Sequence, residues 1–427
     1  MKLLCAPANA AYPGINPDLR VDLFSKSGFK SRGHAGAMIA ERIRRDKLAP
    51  TGRAWDLLAL AIAAVAADFA HHRSTSPDGW TREIHILVAV NEPEFWNLHS
   101  ALIADLLGFL TTDLWRVEFV KGGYMPTAPA QPTRLASDCV VLLSGGLDSL
   151  IGAIDLKADG RNPIAVSHVV RGDAENQVAF SSQIGPQGGL PLIQLNHNVV
   201  LPAPETPPSQ RSRSLAFLAY GVFVATALDA FQRQPPIMLF VCENGFISIN
   251  PPLTATRIGS LSTRTTHPVI FSMFQDLLNA AGIAVTLSNP YQLMTKGEML
   301  HGCKNQALLD SLASASTSCG RFKTFGYQHC GRCVPCLVRR AAFIRAGRSD
   351  GTSYRYKNLG LNNAEHMRFD DVRSAKMAVD KVRQVGLERW LGGQLASPRV
   401  TNAPDLRAMV KRGLDELELL LTHYKVK

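Results

Sequence analysis

Val140-Val141-Leu142-Leu143-Ser144-Gly145-Gly146-Leu147-Asp148-Ser149 passes from four apolar residues to a glycine pair and then to Asp-Ser. Four apolar residues in a row read as a parallel strand buried on both faces. Two glycines let the backbone turn sharply and bring successive N–H groups against a phosphate. A helix starting near Asp148 or Ser149 and ending near Gly160 adds its positive end to the same spot. Ser144 and Ser149 supply hydroxyls, and Asp148 either caps the helix or holds a magnesium ion. Ser144, Gly145, Gly146, Leu147, Asp148 and Ser149 are therefore the expected cradle for the phosphates of ATP. The chain holds no GxxxxGK[ST] and this loop has no lysine, so the usual P-loop chemistry at the β/γ bond is not expected.

Downstream and upstream of this turn the periodicity switches repeatedly. Short apolar strands at Cys139 to Leu143, Pro163 to His168, Leu192 to Gln194, Met238 to Val241 and Ala284 to Leu287 alternate with helical stretches. That alternation predicts an α/β fold with a doubly wound, mostly parallel sheet over residues 134–344. Before it, Lys2 to Cys5, Ile84 to Val90 and Trp115 to Val120 read as strands, and Ala54 to Ala70 and Phe95 to Phe109 as helices. These form a small α/β domain, residues 1–133, whose role is packing or holding a partner. Three prolines in Tyr124 to Thr133 mark the linker, and a second Pro-rich stretch, Leu201 to Ser209, reads as a mobile loop before a helix over Leu215 to Phe231. After the cysteine cluster the chain turns helical and basic, and residues 345–427, ending in the amphipathic run Pro404 to Tyr424, are taken as an appended helical domain or lid.

Composition bounds the function. In 427 residues, 46% are hydrophobic and 19% charged, the profile of a folded globular protein. The longest apolar run, Leu57 to Ala67, lies between Asp56 and Asp68 and is about half of what a membrane span needs, so no membrane partner is expected. A formal charge of +11 suits an anionic partner, nucleotide or nucleic acid, or simply a basic surface, since the cations are spread rather than blocked.

Four of the eight cysteines crowd into Cys319, Cys330, Cys333 and Cys336. This is metal spacing, and four thiolates close a tetrahedral zinc site. The rival is a redox or persulfide-carrying pair at Cys330 and Cys333. His329 next to Cys330 points away in an extended chain and is left out of the ligand set. Cys5, Cys139, Cys242 and Cys303 read as ordinary thiols, and the usage as a whole points to a reducing, cytoplasmic compartment.

The string SGGLDS resembles the SGGxDS signature of the PP-loop class, the N-type ATP pyrophosphatases with an adenine nucleotide alpha hydrolase-like fold. Thr317-Ser318-Cys319 and then CGxCxxCxxR at Cys330 to Arg339 make the combination similar to the QueC, or 7-cyano-7-deazaguanine synthase, family. Arg213 to Leu218 resembles that family's GRNxxFL helix start, Val241-Cys242-Glu243 its strand end, and Pro290 to Lys296 with Glu298 its PLxxxxKxE segment. The likeness covers about half of the chain, Ser137 to Ile344. The added N-terminal and C-terminal parts resemble QatC of the Qat anti-phage system and the QueC-like component of certain CBASS systems.

The resemblance implies cleavage between the α and β phosphates of ATP, with Mg2+, to adenylate the carboxylate of 7-carboxy-7-deazaguanine. An amine then attacks: ammonia giving an amide or nitrile, or the amine of a protein partner encoded nearby giving a conjugate, in antiviral defence. It implies Asp148, Lys296 and Arg213 as catalytic, and Glu243, Asn244, Phe246 and Arg339 as substrate-binding, with Glu243 reading the guanine N–H edge and Phe246 stacking on the base. Other readings are a tRNA-modifying PP-loop enzyme of the thiolation type, or a nucleotide-binding pseudo-enzyme. Departures from the family are Ser214 where it has Asn, Ser167 to Asp173 in place of an aromatic-rich segment, and the region Ile249 to Pro268.

Overall fold

In the computed structural model, residues 1–170, 172–185, 188–206, 209, 211–254, 264–360 and 371–426 are described. Residues 255–263 of the departing region, and Arg171, lie outside that set. Among the described residues, ten strands form two sheets. The first holds β1 (Lys2–Pro7), β2 (Leu19–Leu23), β3 (Gly33–Ala35), β4 (Glu83–Val90) and β5 (Leu114–Lys121) in the order β3-β2-β1-β4-β5. The second holds β6 (Cys139–Leu142), β7 (Pro163–His168), β8 (Leu192–Leu195), β9 (Ile237–Phe240) and β10 (Val285–Ser288) in the order β10-β9-β6-β7-β8. Every strand pairing is parallel. Read from its other edge, the second sheet has the same doubly wound order as the first, so the chain builds one topology twice.

The expected strands of the second sheet all form, within a residue or two of their anticipated ends. In the first sheet β2 and β3 were not anticipated. β2 is short, and β3 has three residues, extended by an antiparallel bridge from His34 to Val200. The helix expected over Phe95 to Phe109 is two, Pro93–Leu98 and Ser100–Thr111, which meet at His99. Likewise the one expected after Ser214 is Arg213–Ala225 followed by a short turn of helix, Asp229–Arg233.

The two sheets share a single hydrophobic core. Helix Gly52–Ala70 is apolar nearly all round, GRAWDLLALAIAAVAADFA, because it is covered on one side by the first sheet and on the other by helix Arg213–Ala225. Trp55 meets Phe223 edge-on at 4.6 Å. The linker after β5 is anchored too: Tyr124 packs 4.8 Å from Phe24 and 5.2 Å from Trp55. The C-terminal helix Ala403–His423 buries Leu406, Met409, Val410, Leu414, Leu417, Leu420 and Leu421 against helix Val334–Arg345 and helix Gly245–Ile249. It is an integral part of the wall rather than a separable lid. No helix among the described residues is long and apolar enough to cross a membrane.

Candidate active site

In a doubly wound sheet the connections leave in opposite directions at one point, and the strand ends there open a crevice. In the second sheet that point lies between β6 and β9. The loop after β6 is Leu143 to Gly146; the loop after β9 is Val241 to Asn244. The two stretches that the sequence singled out for phosphate and substrate thus face each other.

The phosphate loop is braced from within. Ser149 Oγ accepts from the Ser144 amide at 3.2 Å and donates to the Gly146 carbonyl at 3.0 Å. Ser144 Oγ accepts from the Gly146 amide at 3.3 Å. Gly145 sits at φ 89°, a left-handed value natural only to glycine. Helix Leu147–Ala158 starts behind it with no side-chain cap, which leaves its first amides to a ligand. Thr317, just ahead of the cysteine cluster, donates its amide to the Gly145 carbonyl at 2.9 Å.

Asp148 points the other way. Lys296 Nζ donates to its Oδ1, and Asn244 Nδ2 donates to its Oδ2 at 2.7 Å. Asp148 thus ties the phosphate-loop helix to the loop after β9 and to helix Lys296–Gly302. Its carboxylate is taken up by these two partners rather than by capping its own helix. Lys296 is fixed by a capping box in which Thr295 and Glu298 exchange side-chain and backbone bonds. The C-terminal helix locks this box: Glu416 accepts from the Thr295 hydroxyl and from the Gly297 amide at 3.3 Å, and Arg412 holds Glu298 at 2.6 Å. Burial lifts the Glu416 carboxyl to about 7.

A cavity of about 220 Å³ opens beside the phosphate loop, with Ser144, Ser149, His168, Asp173, Arg213 and Glu243 on its walls. Burial pulls the Arg213 guanidinium below its usual range, and Asp173 opposes that shift. Burial raises the Asp173 carboxyl, against a hydrogen bond from Thr317 and the charge of Arg213. His168 stacks on His197, with ring centroids 4.5 Å apart and planes 12° from parallel, and His197 Nδ1 bonds Tyr220 Oη at 2.8 Å. Burial first, then neighbouring charge, lowers the two imidazoles to about 2 and about 4, so both are neutral at physiological pH. Glu243 is held through its backbone by Asn289, at 3.3 and 2.9 Å, and its carboxylate accepts from the Thr266 hydroxyl.

Of the residues expected to touch substrate, Glu243 and Arg213 line this cavity. Asn244 is fully buried; besides bonding Asp148 it caps helix Gly245–Ile249 by accepting from Ile247 at 3.0 Å. Phe246 is not among the residues that line this cavity: its ring is buried against Gly413 of the C-terminal helix, where a Cβ would come within 2.2 Å of it. Arg339 also lies outside that lining. It is fully buried, and its guanidinium donates to Ser316, Ser318, Ala313 and Thr352. These bonds shape the loop that braces Gly145. The sequence had marked Ser214, His168 and Asp173 only as departures from a family pattern. The structure puts all three on the cavity wall with Thr265 and Thr266, and Ser214 Oγ lies 2.6 Å from Thr265 Oγ1.

The four cysteines converge as their spacing predicted. Their Sγ atoms all lie within 4.8 Å of one another, with Cys330–Cys336 and Cys319–Cys333 both at 3.9 Å. Tetrahedral zinc with sulfur ligands at about 2.3 Å separates those sulfurs by roughly 3.8 Å, so the set fits the ion. Backbone amides of Cys330 and Cys333 point at Cys319 Sγ and Cys330 Sγ, each at 3.3 Å, as thiolates require. His329 is no ligand: its Nε2 accepts from the Ser318 amide at 3.0 Å.

Fold and site together define an α/β protein with a glycine-rich loop at the switch point of a parallel sheet and a cluster of four cysteines, compatible with zinc, next to the Thr317 that bonds that loop. No family model matches the chain. It is similar to a protein named 7-cyano-7-deazaguanine synthase from Novosphingobium aromaticivorans, being 28% identical over 255 residues, 54% of this chain and 99% of that protein.

Proposed function

We propose that the protein uses ATP to adenylate a carboxylate on a 7-carboxy-7-deazaguanine-type heterocycle and passes the activated carbon to an amine. The observation that carries this reading is that Glu243 and Arg213 share one cavity with the hydroxyls of Ser144 and Ser149. The likeness to the synthase named above supports the substrate class.

In this scheme the phosphates lie on the loop amides and the first turn of helix Leu147–Ala158. A substrate carboxylate oxygen attacks the α-phosphorus, the α–β bridge bond breaks, and pyrophosphate leaves. Arg213 holds the carboxylate and offsets its charge as the bond forms. Glu243 accepts hydrogen bonds from the heterocycle's N–H edge. The neutral, stacked His168 offers a flat face to the ring without adding charge. The amine nitrogen then bonds the acyl carbon, AMP departs, and the amine proton passes to solvent. Zinc, held by Cys319, Cys330, Cys333 and Cys336, supplies local folding energy. Magnesium, when bound, would offset phosphate charge; Asp148, the residue expected to hold it, has its oxygens bonded to Lys296 and Asn244 in this structure.

The acceptor in this reading is a protein amine, in an anti-phage setting, with ammonia as the alternative; the residues that depart from the family pattern, Ser214, Thr265 and Thr266, lie on the cavity wall. Incubation with ATP and 7-carboxy-7-deazaguanine tests the core reading by nucleotide analysis. AMP and pyrophosphate in equal amounts are expected; ADP, or no carboxylate-dependent turnover, overturns it.

A further inference from the structure

The cavity wall that carries Arg213 and Ser214 is suspended from the first sheet's unit. Ser212 donates both its amide, at 3.1 Å, and its hydroxyl, at 2.8 Å, to Asp68 Oδ2 near the end of helix Gly52–Ala70. Asp68 is wholly buried, and its other oxygen accepts from Arg82 at 2.6 Å. Arg211 reaches the Thr111 carbonyl at 2.7 Å and lies over Trp80. Both residues preceding Arg213 are therefore fixed by helix ends of the first unit.

The opposite wall is held in the same way. Arg264 donates to the Phe109 carbonyl at 3.0 Å and covers the Phe109 ring, while His267 packs 5.1 Å from that ring. Thr265 and Thr266 lie between those two anchors and face the cavity. The Ser214–Thr265 contact then closes the two walls on each other.

We propose that Asp68 is a positioning residue for Arg213, and that the first unit serves as the scaffold of the substrate side of the cavity. A side chain some distance from the chemistry acts here because Arg213 begins a helix whose preceding residue, Ser212, is held by Asp68 through both its amide and its hydroxyl. The phosphate loop, by contrast, is braced by Thr317 and Asp148, and the bonds described for these two residues do not run to Asp68, Arg211 or Ser212. Disturbing Asp68 should therefore affect the carboxylate substrate and spare ATP. The inference rests on the reading of the cavity as the carboxylate site.

Two variants test it. Asp68→Asn keeps the shape but presents an amide N–H to Ser212 or to Arg82, and Arg82 retains its bond to Asp113. Ser212→Ala removes the hydroxyl half of the contact and disturbs no charge, so it remains informative if Asp68→Asn folds poorly. In pyrophosphate release, each is expected to raise KM for 7-carboxy-7-deazaguanine by roughly tenfold to a hundredfold while KM for ATP stays put. Either change on top of Arg213→Lys should add little, since residues acting through one another are not additive. A parallel rise in both KM values, or multiplying effects in the double variants, overturns the proposal. If the wild-type protein releases no pyrophosphate, the functional reading fails and phenylglyoxal decides the inference instead. Peptide mass spectrometry should then show Arg213 modified several-fold faster in Ser212→Ala, with the exposed Arg116 unchanged; an unchanged Arg213 rate overturns it.

Discussion

Lys296 and Asp148, 148 residues apart in sequence, form a buried ion pair that joins the phosphate-loop helix to helix Lys296–Gly302, which packs beside it on the same face of the sheet. Removing one partner leaves the other buried and uncompensated, a cost of about 3–5 kcal/mol. Lys296→Met and Asp148→Ala are each expected to lower the unfolding free energy on that scale and to abolish pyrophosphate release. Denaturant unfolding with parallel activity measurement checks this; a stable, active Lys296→Met would contradict it.

Gly146 gives a sharper probe of the loop alone. A Cβ there would lie 3.2 Å from the Thr317 carbonyl and 3.3 Å from Ser144 Oγ, tight enough that the loop or the Thr317 segment bracing it must shift. Gly146→Ala is expected to lose ATP turnover while keeping its metal and its fold, as read by metal content and circular dichroism.

The metal cluster is tied to the same loop through Thr317. Metal analysis should find about one zinc per chain, and Cys333→Ser should lose zinc, solubility and ATP binding together. An iron–sulfur absorption band, or full activity in that variant, would speak against a zinc site.

Acid sensitivity follows from the buried imidazoles. His197 is held at about 4 from an ordinary value of 6.5, chiefly by burial, so below 6.5 the unfolded chain takes up a proton that the folded chain refuses. Its contribution is complete above pH 6.5 and is lost as pH falls towards 4. The loss is at most roughly 3 kcal/mol for a shift of that size. Stability measured from pH 7 to 4 should fall, and His197→Gln should flatten the fall; an unchanged slope would show that His197 does not titrate this way.

Residues 125–427 expressed alone should be insoluble, because helix Arg213–Ala225 would lose its cover from helix Gly52–Ala70 and expose Phe223 and its neighbours. Recovery of a soluble, zinc-loaded fragment would show the shared core to be dispensable.

The parts legible in the sequence were those whose signal is local. A strand running into SGGLDS and a four-cysteine spacing each encode their own geometry, and both formed as read. Asp148, Lys296 and Asn244 were each picked out, but their mutual bonding is a product of the tertiary fold, which no spacing reports. The burial of Phe246 and Arg339 was not legible, because a sequence does not show which face of a residue is filled, here by Gly413 and by the Ser316 loop. The His168–His197 stack and the Ser214–Thr265 contact join segments far apart in the chain. The helix Gly52–Ala70 did carry a hint: apolar on every side, it already required cover from two directions.

Transfer of oxygen from the carboxylate to AMP tests the adenylation claim most directly. With 7-carboxy-7-deazaguanine labelled with 18O in its carboxyl group, the acyl adenylate mechanism predicts one 18O atom in the phosphate of the AMP released. Unlabelled AMP would mean that water or another nucleophile attacks the α-phosphorus, and would contradict it.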